Sequence, residues 1–251
     1  MAVIGMVSAK GGVGKTTLTA NLGALIAQHG HKVLLVDGNI TTPTLGLHFG
    51  IAPKSRTLND VLENRITMEE AVYSHPCGVG IVPSSLLPAR TYPDPEALKE
   101  KIRQVRDRYD YILIDAAAGI GREVMASMEA SDALIVVSSM ELTSAVSACK
   151  IIKLAEIMEV PVLGIIANKA FDTRHQMTKA ELEELCERKV LGSIPFDRKI
   201  PESLHQQKPL VLGRRHSKAS HSLRRLASFI SGHEYEEEAL LERIRRALSI
   251  W

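Results

Sequence analysis

Short runs of valine, isoleucine and leucine alternate along the chain with longer stretches whose apolar residues recur at helical spacing. The short runs are nearly continuous in hydrophobicity, which is the pattern of strands buried on both faces of a parallel sheet. They predict strands at Val3–Ser8, Val33–Val36, Val79–Pro83, Tyr111–Asp115, Ala133–Ser138, Val162–Ala167 and Val190–Ser193. The longer stretches predict helices near Lys15–Gln28, Leu58–Glu63, Pro95–Asp107, Glu123–Ala130, Ser144–Met158, Lys179–Glu187, Lys218–Ser231 and Glu236–Ser249. Gly30 stands where the first helix needs a stop, and Ser217 stands where the Lys218 helix needs a cap. Strand and helix in alternation is the signature of βαβ units. The expected fold class is therefore α/β, a single doubly wound, mostly parallel sheet with helices on both faces.

Length and composition agree with that picture. A chain of 251 residues suits one large domain with a buried sheet. Hydrophobic residues make up 45% and aromatics only 4%, so the core is expected to be aliphatic. The domain is expected to span residues 1–231, with residues 232–251 forming a separate amphipathic helix. A net charge of +2 points to no polyanionic partner on average. Its distribution is uneven: Arg198, Lys199, Lys208, Arg214, Arg215, Lys218, Arg224 and Arg225 face a single acid, Glu202, before the acidic run Glu234 to Glu238. Such a run reads as a solvated face, or as a surface for anionic lipid or DNA.

Cys77, Cys149 and Cys186 lie far apart and form no CxxC pair, so neither a disulfide framework nor a local metal motif is indicated. The apolar start, Ala2 to Val7, is too short for a signal peptide, and no stretch reaches membrane-spanning length. A cytoplasmic location is expected.

The strongest chemical signal is the segment Gly5 to Thr17, GMVSAKGGVGKTT, placed between a predicted strand and a predicted helix. Gly11, Gly12 and Gly14 allow a tight turn whose N–H groups converge, with Val13 and the positive helix end, on phosphate oxygens. Lys15 is then placed between β and γ phosphates, the Thr16 hydroxyl ligates Mg²⁺, and Thr17 completes the loop. Two acids end buried apolar runs: Asp37 after Val-Leu-Leu-Val and Asp115 after Tyr-Ile-Leu-Ile. Asp115 suits a hydrated Mg²⁺, Asp37 is a second acid for the same ion through water, and Gly119 offers its N–H to a γ phosphate. Each acid alone also reads as a structural cap.

These residues resemble the deviant-Walker ATPases of the MinD/ParA group, the archaeal-type MinD proteins above all, over about Met1 to Ser231. The resemblance is carried by Lys10–Thr17, Asp37-Gly38-Asn39, Asp115 to Ile120, Asn168 after Gly-Ile-Ile-Ala, and Val190 to Pro195. It implies that Lys10 reaches across a nucleotide sandwich to the partner's phosphates, and hence an ATP-dependent homodimer. It implies an ATPase switch whose dimer engages a membrane or DNA, with ATP and Mg²⁺ as cofactors.

Three positions depart from the family's pattern: Asn39 where it has Asp, Ala117 where it has Pro, and Ser139-Met140-Glu141 where it has an Asn-Pro-Glu-like turn. Asn39 bears on the chemistry, because in relatives that acid helps position or polarise the attacking water. An amide can orient water without taking its proton, so slow hydrolysis is expected.

Asn168 sits where the family places a purine-contacting amide, and Pro195 to Asp197 resembles a loop over the base. Asn168 to Asp172 has one residue too many for the N-K-x-D of GTP-binding relatives, which favours ATP. The leading expectation is a MinD-like ATPase on the inner face of the cytoplasmic membrane, positioning cell-division or other machinery with an unidentified activating protein. A ParA-like partition ATPase on nonspecific DNA stands as an alternative. An Mrp-like metal-cluster carrier is another, although such carriers have a CxxC pair that this chain lacks. In the last segment Leu240, Leu241, Ile244, Ala247, Leu248 and Trp251 form an apolar stripe, with Arg243, Arg245 and Arg246 outside it. That pattern suits a reversible anchor on anionic lipid.

Overall fold

The structure, a computed structural model, describes residues 1–53, 55–88, 92–171, 176–213 and 216–234. Eight strands form one sheet: β1 (Ala2–Ser8), β2 (Val33–Gly38), β3 (Tyr73–Ser74), β4 (Val79–Val82), β5 (Tyr111–Ala118), β6 (Ala133–Ser139), β7 (Val162–Ala170) and β8 (Val190–Pro195). Their order is β3-β4-β2-β5-β1-β6-β7-β8. All pairings are parallel except β3 with β4 at the edge. The helices are α1 (Lys15–Gln28), α2 (Leu58–Leu62), α3 (Leu98–Val105), α4 (Arg122–Glu129), α5 (Leu142–Ile157), α6 (Lys179–Cys186), α7 (Lys199–His205), α8 (Leu210–Gly213) and α9 (Lys218–Ser231).

The two-residue period of the strands divides their side chains between two covered faces. β2 sends Val33 and Leu35 into a core shared with α1, α8 and α9, and Leu34 and Val36 into one shared with α2 and α3. β6 likewise sends Ile135 and Val137 to the first face, and Leu134 and Val136 to a cluster with α4, α5 and α6. Burying each such side chain contributes about 2 kcal/mol, so a one-residue slip of any inner strand would be costly. α1 lies so close on β2 that a Cβ at Gly23 would meet Leu35 Cδ2 at 2.5 Å. That approach, and β1's place between β5 and β6, put the N-terminus of α1 at the crevice where chain direction across the sheet reverses.

α1 has the expected bounds, and Gly30 takes the left-handed conformation just beyond it (φ +90°), donating its N–H to Ala27 O at 3.0 Å. Ser217 caps α9 by accepting the Ser220 N–H at 3.1 Å. The stretch expected as one helix at Pro95–Asp107 is instead a 3-10 turn at Pro95–Ala97, then α3, then a second 3-10 turn at Arg106–Arg108. Four short elements were not anticipated: β3, α7, α8 and a 3-10 turn at Gly46–Phe49. β3 has too few residues for a period, and α7 contains Pro201. Proline is tolerated there because it occupies the first turn, where N–H groups have no intrahelical acceptor. The helix expected at 236–249 lies outside the described residues.

Candidate functional site

β1 ends at Ser8, and the chain turns through left-handed Gly12 (φ +74°) and Gly14 (φ +92°) before α1 begins at Lys15. The end of β7 clamps this loop: Asn168 Nδ2 donates to Val13 O at 2.7 Å, and Lys169 Nζ donates to Gly12 O at 2.7 Å. A planar peptide points its N–H opposite to its carbonyl. Holding these two carbonyls toward β7 therefore turns the N–H groups of Val13 and Gly14 away from it. With the unpaired first-turn N–H groups of α1 they make a cradle for an anion.

The cradle opens into a cavity of about 810 Å³. Lys10, Gly11, Gly12, Val13, Gly14, Lys15, Thr16 and Thr17 all line it, together with Asn39. Behind the loop, Asp37 and Asp115 are register partners on adjacent strands, each 1% exposed. Lys15, itself buried, places Nζ 3.4 Å from Asp115 Oδ1. Asp37 receives the N–H groups of Asn39 (3.3 Å) and Leu45 (3.0 Å). Burial, and then the charge of Asp115, push the Asp37 carboxyl well above the usual range. Burial raises Asp115 too, opposed chiefly by Lys15 and Thr16. Asp115 Oδ2 is buried without a hydrogen-bond partner. Two crowded carboxylates, one with an orphan oxygen beside Thr16, form an oxygen-rich setting that a hydrated Mg²⁺ fits.

Lys10 differs from Lys15. Its side chain is 43% exposed, and Nζ donates to Glu141 Oε2 at 2.9 Å and to Thr143 Oγ1 at 3.3 Å. The bond from Lys10 holds Glu141 below the usual carboxylate range. Asn39 is engaged in a turn: Nδ2 donates to Thr42 O at 2.6 Å, while Oδ1 accepts the N–H and hydroxyl of Thr42, each at 3.1 Å. The Gly119 N–H donates to Ser8 O at 3.1 Å, so here it is not directed at the cavity. Asn168 Oδ1 is buried without a partner.

Pro195 ends β8, and Asp197 Oδ1 accepts the Lys199 N–H at 2.9 Å at the start of α7. Neither is among the residues lining the cavity. That wall is instead Ile200, Pro201 and Leu204 of α7.

Other lining residues were not anticipated. Glu123, in the first turn of α4, accepts the Ile40 N–H at 3.1 Å and the Thr41 hydroxyl. Its signal in the sequence was an acid just after Gly121 at a helix start. His48 lines the cavity while only 4% exposed, and burial pushes its imidazole down to about 4, so it is neutral at pH 7. Nothing in the sequence around His48 marked it.

The ParA family model, described as NUBPL iron-transfer P-loop NTPase, matches residues 1–231. The chain belongs to the ParA family of P-loop NTPases. It is 34% identical over 231 residues to an ATP-binding protein of Methanocaldococcus jannaschii, covering 92% of this chain and 88% of that one. The cell division ATPase MinD of Pyrococcus furiosus superimposes with a TM-score of 0.86 at 30% identity, over 92% of this chain and 98% of that one. The septum site-determining protein MinD of Pyrococcus horikoshii, solved with Mg-ADP, gives 0.85 at 31% identity, over 91% and 95%. In this ParA-family chain the glycine loop, the strand-end acids and the β7 clamp thus occur on the sheet architecture of MinD.

Proposed function

We propose that this chain is an ATP-driven switch of the MinD kind. It binds ATP with Mg²⁺ in the loop cavity, pairs with a second copy while ATP is bound, hydrolyses ATP slowly to ADP and phosphate, and separates. The observation that carries this reading is the contrast between two lysines lining one cavity. Lys15 is buried against Asp115 and serves the chain's own nucleotide, whereas Lys10 is exposed and can exchange Glu141 for a phosphate. Two tetra-anionic nucleotides can face each other only if cations offset their repulsion, and an exposed lysine at the mouth supplies one.

The Thr16 hydroxyl, with Asp37 and Asp115, would hold Mg²⁺, which would offset the charge of the phosphates. Gly11 to Thr17 hold the phosphates, and Asn168 with the α7 wall of Ile200, Pro201 and Leu204 holds the purine. MinD relatives among cell division ATPases, one solved with Mg-ADP, support the nucleotide and the cell-positioning role. We extend the reading to residues 232–251 as an amphipathic tail that joins the ATP dimer to anionic lipid on the inner face of the cytoplasmic membrane. An activating protein would set the rate. No helix among the described residues is long and apolar enough to cross a membrane.

Lys15→Ala should abolish ATP binding, measured with a fluorescent ATP analogue. Lys10→Ala should bind ATP but remain monomeric in light scattering. A Lys10→Ala protein that dimerises normally with ATP would refute the sandwich.

A further inference from the structure

We propose that Glu123 orients the water that attacks the γ phosphate and accepts its proton, an assignment that rests on the ATPase reading above. The cavity is strongly cationic: Lys10, Lys15, Arg122 and Lys169 all line it. Among the described lining residues Glu123 is the only carboxylate. Asp37 and Asp115 are buried behind the loop, and neither they nor Glu141 line the cavity. Asn39 is neutral, and both ends of its amide are bound to Thr42. The threonines of the same wall are neutral as well. Hydrolysis needs a group that orients water and takes a proton as the new bond forms, and an ionised carboxylate does both.

The local geometry suits that task. Glu123 stands in the first turn of α4, where the helix dipole favours its negative charge. Oε2 accepts the Ile40 N–H and Oε1 accepts the Thr41 hydroxyl, so the carboxylate is held against the loop that carries Asn39. An ionised carboxylate has about four acceptor positions, two on each oxygen. One on each oxygen is therefore open to a water.

In the reaction the water oxygen bonds to the γ phosphorus as the bond from that phosphorus to the β,γ-bridging oxygen breaks. The bonding pair leaves on the β phosphate of ADP. One proton of the water passes to Glu123 and on to solvent; the other stays on the released hydrogen phosphate. Thr41 and Ile40 hold the carboxylate in place, while Asn39 fixes the turn beside it.

The test compares single-turnover hydrolysis with equilibrium ATP binding in the full chain. Glu123→Gln should slow hydrolysis by about a hundredfold or more, while ATP affinity stays within about twofold of the unaltered chain. Glu123→Asp, which keeps a carboxylate, should retain more of the rate than Glu123→Gln. The proposal is overturned if Glu123→Gln hydrolyses as fast as the unaltered chain, or if it loses rate only in step with ATP affinity. The first result leaves the ATPase reading standing and removes Glu123 alone. An unaltered chain that binds ATP yet releases no phosphate would instead end the ATPase reading, and this assignment with it.

Discussion

His48 makes the stability of the fold depend on pH in a way that can be isolated. Its imidazole is buried in the cavity wall, and burial lowers it from 6.5 to about 4. The sign follows from which state binds the proton. Below pH 6.5 the unfolded chain gains a proton that the fold refuses, so the native state is penalised increasingly as pH falls toward 4, and the penalty then levels off. Between about pH 7.5 and pH 4.5, linkage gives a loss of about 2.5 kcal/mol from this one group. Asp37 and Asp115 are raised instead of lowered, so their contributions run in the opposite sense and complicate the profile of the unaltered chain. Comparison with His48→Gln removes that complication, because both acids remain in both proteins. Urea unfolding at the two pH values should show the unaltered chain losing about 2.5 kcal/mol relative to His48→Gln. Parallel pH profiles for the two proteins would show that the imidazole is protonated as readily in the fold as outside it.

Asn39→Asp places a negative acceptor at the cavity wall but removes the donor that holds Thr42 O. We expect single-turnover hydrolysis to rise about tenfold, equivalent to about 1.4 kcal/mol of barrier. A loss of about 1 kcal/mol in thermal stability should accompany it, from the missing hydrogen bond. Equal rates for the two forms would remove residue 39 from the chemistry. Deleting residues 240–251 should abolish sedimentation with anionic liposomes while leaving ATP binding and dimerisation intact, since two tails held together strengthen a weak contact by roughly a hundredfold. Undiminished sedimentation of the shortened chain would show that the tail is not the anchor.

The sheet was legible because its strands are buried on both faces: Leu34, Leu35 and Val36 leave no polar position to break the run. The loop was legible because three glycines, a lysine and two threonines at that spacing serve one chemistry. What escaped was decided by tertiary contact. Pro201 disguised α7 as a coil, so the contribution of Ile200, Pro201 and Leu204 to the cavity wall went unread. Glu123 looked like an ordinary first-turn acid until the fold brought Ile40 and Thr41 to it. Asn39 was readable as an amide in place of an acid, but the turn that occupies its side chain depends on how the backbone returns at Thr42.

The clamp on the phosphate loop also has a bearing on when the site comes into being. Asn168 and Lys169 hold carbonyls 155 and 157 positions earlier in the chain. A segment rich in glycine has many conformations open to it, and nothing within Lys10–Thr17 itself selects the one with its amides converging. That selection waits for β7 to dock beside β6, a closure across more than half of the chain. During synthesis from the N-terminus, the nucleotide motif is complete long before it can hold a nucleotide. Once it can, the bound nucleotide favours the finished sheet as a whole, so its stabilising effect extends to strands that never touch it.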